Sequence, residues 1–289
     1  MPNELVSVII PSYNRYKYLV NAINSVLDQT YKNIEIIVVN DASTEKEYYE
    51  NSFEEKITLI NLPENQTQKY KGHGIGKVRN FGVEKAKGKY LAFLDDDDIW
   101  LPEKLEIQLN LLESSNYKMS STEGYFGEGV YDKTKTYPLY NRERFYKTLK
   151  KKYRRSGFIK KGEFPEVWNL DFLKIHNCMI TSSVIVEKEV FDIVGGFRGI
   201  VPGEDYDCWL GILHHTSSIY VNTPLFYYDG MHGKGKEYLV LKVPNIIDIS
   251  YGRGVGYTFT EHDLGKEIHK ISATNIRKEM RNKGELKKK

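Results

Sequence analysis

Four short apolar runs, each followed by a turn and a helical stretch, constrain this chain more than any other feature. Val6–Ile10 (VSVII) is the first, closed by Pro11, and the helical spacing of Leu19, Ala22, Ile23, Val26 and Leu27 follows it. Ile34–Val39 (IEIIVV) is the second, ending at Asn40-Asp41, with Ser43 or Thr44 able to cap a helix through about Tyr49. Ile57–Leu62 reads as a third strand. A polar loop from Pro63 to Gly76 leads to a helix over Lys77–Ala86, then to the buried strand Tyr90–Leu94 (YLAFL), and Pro102 opens a helix through about Leu112. Strands that are apolar throughout, rather than on alternate residues, are covered on both faces. Alternation with helices therefore predicts an α/β fold built on a mainly parallel, Rossmann-like sheet.

In such a sheet, ligands bind beyond the carboxyl ends of the strands. The residues there are Pro11-Ser12-Tyr13-Asn14-Arg15, Asn40-Asp41-Ala42-Ser43 and Asp95-Asp96-Asp97-Asp98. A dinucleotide site needs glycines in the first βα turn, where backbone approaches pyrophosphate. That turn is PSYNR here, and the one glycine cluster, Gly72 to Gly76, has the wrong spacing. Dehydrogenase and P-loop readings fall.

The four successive aspartates are the most informative motif. Packed carboxylates raise one another's pKa unless a cation neutralises them. Their hard oxygens suit Mg²⁺ or Mn²⁺, which are commonly held by one or two carboxylates together with substrate phosphates. An acidic start to the helix near Pro102 would account for one or two aspartates. Four at a strand end exceed that need.

With these motifs in view, the sequence resembles the family 2 glycosyltransferases of GT-A fold from Val6 to about His232. The resemblance rests on VSVIIPSYNR, IEIIVVNDAS, GKVRNFGVEKAKGKYLAFLDDDDIWLPEKL, TSSVIVEKEVFDIVGGF and GEDYDCWL, in that order. It implies a metal-dependent transfer of sugar from a nucleoside diphosphate sugar to a hydroxyl acceptor, with inversion. Asp41 then looks like the residue that bonds the nucleotide base, with Pro11, Ser12, Tyr13 and Arg15 around the nucleotide. A carboxylate accepts the imide N–H of uracil or thymine, which favours a UDP-sugar. Arg79 looks like a donor-site residue, its alternative being a salt bridge to the acidic cluster. The family's DxD pattern falls on Asp95-Asp96-Asp97, with Asp97 on the metal; Asp96–Asp98 reads the same way, but Phe93-Leu94 before and Ile99-Trp100 after favour the first register. His232 occupies the place of a metal-ligating histidine, and Gly195-Gly196-Phe197 that of a donor-side glycine loop. Glu204-Asp205 matches the ED motif, with Asp205 as general base and Glu204 as second candidate. Where relatives often carry arginine in the helix after that motif, this chain has Gly211.

Charge is segregated. Residues 141–162 carry a net +9 and the tail 266–289 a net +6, leaving −12 on the rest of a chain whose total is +3. The basic segments predict an anionic acceptor or a peripheral membrane contact, or a solvated helix face and an oligomer arm. A nucleic-acid or glycan-binding module is the non-catalytic alternative, and it leaves the aspartates unexplained. A sugar nucleotidyltransferase would need a glycine- and arginine-rich loop after the first strand.

Mean hydropathy is −0.52, and no apolar run approaches the ~20 residues of a membrane span. The start Met1-Pro2-Asn3-Glu4 has no basic leader region, and Cys178 and Cys208 form no CxxC pair. Those features predict a cytoplasmic chain. The expected organisation is a nucleotide-sugar half over residues 1–127, an acceptor half with the basic insertion over 128–235, and an extension over 236–289.

Overall fold

A computed structural model describes residues 3–71, 74–160, 162–199 and 203–233, together with the backbone of 246–252 and 255–261. The chain divides into a unit over residues 1–236 and a second over 237–289.

In the first unit, β1 (Val6–Ser12), α1 (Tyr16–Leu27), β2 (Ile34–Asn40), α2 (Glu47–Glu50), β3 (Ile57–Asn61), α3 (Gln66–Lys69), α4 (Ile75–Val83) and β4 (Tyr90–Phe93) come first. They are followed by β5 (Ile99–Trp100), α5 (Lys104–Glu113), β6 (Met119–Gly127), a π-helical turn (Tyr140–Arg144) and α6 (Tyr146–Tyr153). The remainder is β7 (Val167–Trp168), α7 (Leu170–Leu173), a 3₁₀ turn (Thr181–Ser183), β8 (Ile185–Glu187), α8 (Lys188–Ile193), α9 (Glu204–Ile212) and β9 (Ser218–Asp229). In the second unit, β10 (Ile246–Gly252) and β11 (Val255–Glu261) pair antiparallel. The basic helix expected beyond residue 260 lies, past Glu261, outside the described residues.

The sheet order is β3-β2-β1-β4-β8-β6-β9-β5, with β7 also on β9. β1 pairs parallel with β2 and β4, and β2 with β3, giving the parallel half that the sequence predicts. Its two faces feed two cores, as a period of two requires. Val6, Val8 and Ile10 pack with Leu19, Ile23 and Leu105, whereas Ile9 packs with Phe93, Phe191 and Trp209. α4 lies close against the sheet because Gly82 has no side chain: a Cβ there would stand 2.7 Å from Ile9 Cγ2.

Several boundaries differ from the sequence reading. Pro11 does not end β1; the strand runs on to Ser12, paired with Asn40. Pairing with β4 stops at Ile9, so at Pro11 the missing N–H falls where the strand has lost one neighbour. Ser43 caps no helix: its Oγ accepts the Asn14 N–H at 2.9 Å, and α2 starts only at Glu47. The loop from Pro63 contains α3, capped by the Asn65 carboxamide, which accepts the Gln68 N–H at 2.6 Å. β8 runs antiparallel between β4 and β6, and the two-residue strands β5 and β7 exist only through their pairing with β9.

Lys104, in the first turn of α5, is fully buried, with Nζ 4.1 Å from the centre of the Trp100 ring and no hydrogen-bond partner among the described residues. Burial pulls its pKa well below the ordinary 10.5. Lys104→Met keeps the length and removes the amine, so it is expected to stabilise the fold by about 1–2 kcal/mol at neutral pH. The sign with pH follows from linkage: the unfolded chain binds this proton more tightly, so wild-type stability rises with pH up to about 10.5. Urea titrations should show the advantage of Lys104→Met shrinking over that window; a constant or negative difference contradicts the assignment.

Candidate active site

The carboxyl ends of β1, β2 and β4 converge on one cleft. Beside it lies a cavity of about 520 Å³ lined by Pro11, Ser12, Tyr13, Arg15, Asp41, Asn65, Thr67, Gln68, Ile75 and His232. That volume suits a small-molecule site of nucleotide size.

Asp41 is 2% exposed. Its Oδ1 accepts the Gln66 N–H at 2.6 Å, and its Oδ2 accepts the Thr67 N–H at 3.2 Å and the Thr67 hydroxyl at 3.0 Å. The carboxylate therefore ties β2 to the first residues of α3. These three bonds use three of about four lone-pair directions on an ionised carboxylate, leaving one for a ligand. Across the cavity, the Tyr13 hydroxyl takes a bond from Gln68 Nε2 at 3.2 Å.

Each aspartate of the run has its own partners. Asp95 receives Arg79 Nη2 at 2.5 Å. Asp96 takes the Ser12 hydroxyl at 2.6 Å and an ion pair from Arg15 Nη2 at 2.7 Å. Asp97 receives Arg15 Nη1 at 2.8 Å, and the same nitrogen reaches the His232 carbonyl at 2.8 Å. Asp98 points away from the arginines, accepting the Ser182 hydroxyl at 2.5 Å and the Asp229 N–H at 2.9 Å. Asp98 is thus committed to holding β9 and the 3₁₀ turn, while Asp95 and Asp97 face the cationic side chains.

Burial pushes Asp96 up to about 7 and Asp97 up to about 6, with the Arg15 guanidinium pulling both back down. Burial and the neighbouring carboxylates raise Asp98 as well. Buried, mutually repelling carboxylates of this kind attract positive charge. The hard carboxylate oxygens of Asp95 and Asp97 are of the type a divalent cation takes. His232 has its ring exposed and edge-on to Tyr228 at 5.6 Å, and φ of 52° turns its carbonyl toward Arg15. Among the described residues, no three His, Cys, Asp or Glu side chains form a complete ligand set.

The second carboxylate pair opens α9. Gly203, at φ 98°, turns the chain so that Glu204 and Asp205 occupy the helix's first turn. Glu204 is buried, and its Oε1 accepts the Gly76 N–H at 2.6 Å. A Cβ at Gly76 would stand 2.9 Å from Glu204 Cδ, which explains one glycine of the cluster that no phosphate-loop pattern accounted for. Asp205 is half-buried; Oδ1 accepts the Tyr206 N–H at 2.7 Å, and Oδ2 accepts a long 3.3 Å hydrogen bond from the Thr181 hydroxyl. Arg79, buried beside Asp95, also feels the charges of Asp205 and Glu204, so both carboxylate sites share one electrostatic neighbourhood. Gly195 and Gly196, at φ 79° and 69°, adopt a conformation that glycine favours.

The sequence reading missed Ser182, Glu123 and the aromatic residues Tyr140 and Tyr228 near these carboxylates. Ser182 stands in a serine-rich stretch with no spacing to distinguish it. Glu123 stands in the polar stretch Met119–Gly124, which in sequence does not read as a buried strand.

The sequence model of "Glycosyl transferase family 2" matches residues 7–180. The chain belongs to that family. Glycosyltransferase RT0329 of Rickettsia typhi is 34% identical over 224 residues, covering 75% of this chain and 61% of that protein. TuaG of Bacillus subtilis, named for teichuronic acid biosynthesis, is 40% identical over 126 residues, or 42% of this chain and 46% of TuaG. The chain spans less than two thirds of the length of these relatives. Among solved structures, Staphylococcus aureus TarS 1–349 in complex with UDP-GlcNAc superposes with a TM-score of 0.56 at 20% identity, covering 79% of this chain and 60% of that one. The likeness carries the GT-A fold to this family member. No helix among the described residues is long and apolar enough to cross a membrane.

Proposed function

We propose that this family 2 member is an inverting glycosyltransferase that moves a sugar from a nucleoside diphosphate sugar, UDP-linked by preference, to a hydroxyl of a saccharide. One observation carries the reading: two separate carboxylate sites, Asp95–Asp97 and Glu204–Asp205, flank Arg79 beside a nucleotide-sized cavity.

The cavity between Pro11, Tyr13 and Asp41 takes the base, with the remaining lone pair on Asp41 accepting a uracil imide N–H. TarS binds UDP-GlcNAc, which supports this choice, whereas the mannosyltransferase PcManGT of Pyrobaculum calidifontis (TM-score 0.52, 17% identity) binds GDP-Man and Mn²⁺. Asp97 and His232 would hold Mn²⁺ or Mg²⁺, with Asp95 beside them toward the ribose. When bound, the cation supplies charge stabilisation for the departing diphosphate. Arg15 and Arg79 add positive charge on the same side, and Arg15 is released from Asp97 to meet the phosphates.

Asp205 takes the proton from the acceptor hydroxyl as that oxygen attacks the anomeric carbon. The carbon–oxygen bond to the diphosphate breaks as the new glycosidic bond forms, and the product is inverted. Glu204 positions α9 through Gly76 rather than meeting the acceptor. Residues 128–175 supply the acceptor side, and the chain works in the cytoplasm.

A panel of nucleotide sugars, assayed for slow Mn²⁺-dependent hydrolysis, tests the donor. UDP-sugars should be turned over faster than GDP-sugars; a preference for GDP-sugars would contradict the UDP assignment.

A further inference from the structure

The π-helical turn Tyr140–Arg144 is held by an unusual amount of polar structure. The carboxylate of Glu123, fully buried on β6, accepts the N–H groups of Asn141 at 3.0 Å, Arg142 at 3.1 Å and Gly124 at 2.9 Å, and the Tyr220 hydroxyl at 2.9 Å. Turns of this kind are rare and concentrate at functional sites. The donor site makes no use of it. Its effect is to fix Tyr140, whose ring meets Tyr228 edge-on at 5.3 Å; Tyr228 in turn meets the His232 ring at 5.6 Å. Phe145 backs Tyr140 at 4.7 Å and Phe126 backs Tyr228 at 6.1 Å, so the two tyrosines form a supported, half-buried shelf. The Tyr140 hydroxyl feels the charges of Asp98 and Asp205, and the Tyr228 hydroxyl those of Asp98, Asp95 and Asp97. The shelf therefore borders both the metal-side carboxylates and the base, where an acceptor sugar has to lie.

The chain leaves this shelf directly into α6. Leu149 and Tyr153 are buried, and the rest of the helix's later turns faces solvent. Arg144 lies over the Phe126 ring at 4.8 Å, and Arg144, Lys147, Lys150, Lys151 and Lys152 are exposed with no ion pair among the described residues. At 1.5 Å rise per residue, the lysine run lies roughly 15 Å along the chain from Tyr140. Neighbouring like charges without counter-charges repel, and a bound polyanion relieves that repulsion. The apolar side chains of α6 point into the core, so the helix has no apolar face to lay into a bilayer.

Resting on the glycosyltransferase reading above, we propose that the acceptor is an anionic polysaccharide, its terminal sugar seated in the angle between the Tyr140 and Tyr228 rings and its charged repeats lying along α6. Carboxylate-bearing and phosphodiester-linked glycans share this chemistry.

The test is a titration of the full chain, with UDP and Mn²⁺ present, against oligogalacturonate, a phosphodiester-linked oligosaccharide, neutral maltoheptaose, inorganic polyphosphate and phosphatidylglycerol vesicles. At low salt, one of the two anionic oligosaccharides should bind at least about tenfold more tightly than maltoheptaose, and the preference should shrink as salt rises. Which of the two binds tighter identifies the anion. K150A/K151A/K152A, confined to exposed side chains, should remove the preference while leaving UDP binding intact. Tyr140→Ala should weaken every saccharide without changing polyphosphate binding, and Tyr140→Phe, which keeps the ring and its packing, should retain saccharide binding. Equal affinity for charged and neutral oligosaccharides, a preference that survives the triple variant, or tighter binding of polyphosphate or vesicles would overturn the proposal. A parallel UDP titration keeps the two readings apart: wild-type chain that ignores UDP removes the donor reading, whereas the oligosaccharide comparison decides the shelf.

Discussion

Asp205→Asn is expected to lower kcat by about 10²–10⁴-fold, the contribution of a positioned general base, with UDP affinity unchanged. The substitution is nearly isosteric. An asparagine oxygen still accepts the Tyr206 N–H that now meets Oδ1 at 2.7 Å, so the first turn of α9 keeps its geometry. What is lost is the oxygen that takes a proton, Oδ2, which among the described residues accepts one long 3.3 Å bond from Thr181. Glu204→Gln provides the comparison. Its Oε1 is committed to Gly76 in a buried setting, so the expected loss is smaller and comes with a lower melting temperature. Steady-state kinetics and thermal denaturation of both variants check the pair of roles; a larger kinetic loss in Glu204→Gln than in Asp205→Asn would reverse them.

Asp97→Asn is expected to cost about 10²–10³-fold in turnover, the typical loss when one stabilising charge on a developing anion disappears. The amide keeps the volume and can still accept from Arg15 Nη1, but it is a far poorer ligand for a hard cation. Mn²⁺ should then stop stimulating the reaction. Asp98→Asn separates the two possible registers of the motif. Asp98 accepts from Ser182 and from the Asp229 N–H, so its replacement should lower stability while preserving the Mn²⁺ dependence. Manganese titrations of activity on both variants decide: Mn²⁺ dependence that survives Asp97→Asn and vanishes in Asp98→Asn would shift the motif by one residue.

The parts of this site that were legible in the sequence are those written in local chemistry. The aspartate run stands out because four carboxylates at the end of YLAFL have no cheap structural explanation, and β1, β2 and β4 because strands buried on both faces are apolar at most positions. Partnerships across the sheet were not legible. That Arg15 reaches 82 residues forward to Asp97, or Glu204 back to Gly76, follows from strand order and leaves no local spacing to read. β5 and β7 are two residues each and exist only by pairing with β9, so periodicity had nothing to work on. Asp41 illustrates both sides: its place after β2 marked it as a ligand-facing residue, but its bonds to Gln66 and Thr67 depend on a short helix hidden in a polar loop.

The cavity beside β1 and β2 is expected to bind a uridine nucleotide jointly with a divalent cation. Calorimetric titration of the wild-type chain with UDP, with Mn²⁺ and then with the metal chelated, tests it most directly. One UDP should bind per chain, tightly with Mn²⁺ and weakly without it, with little response to GDP. UDP binding that is indifferent to the metal, or GDP binding in preference to UDP, would contradict it.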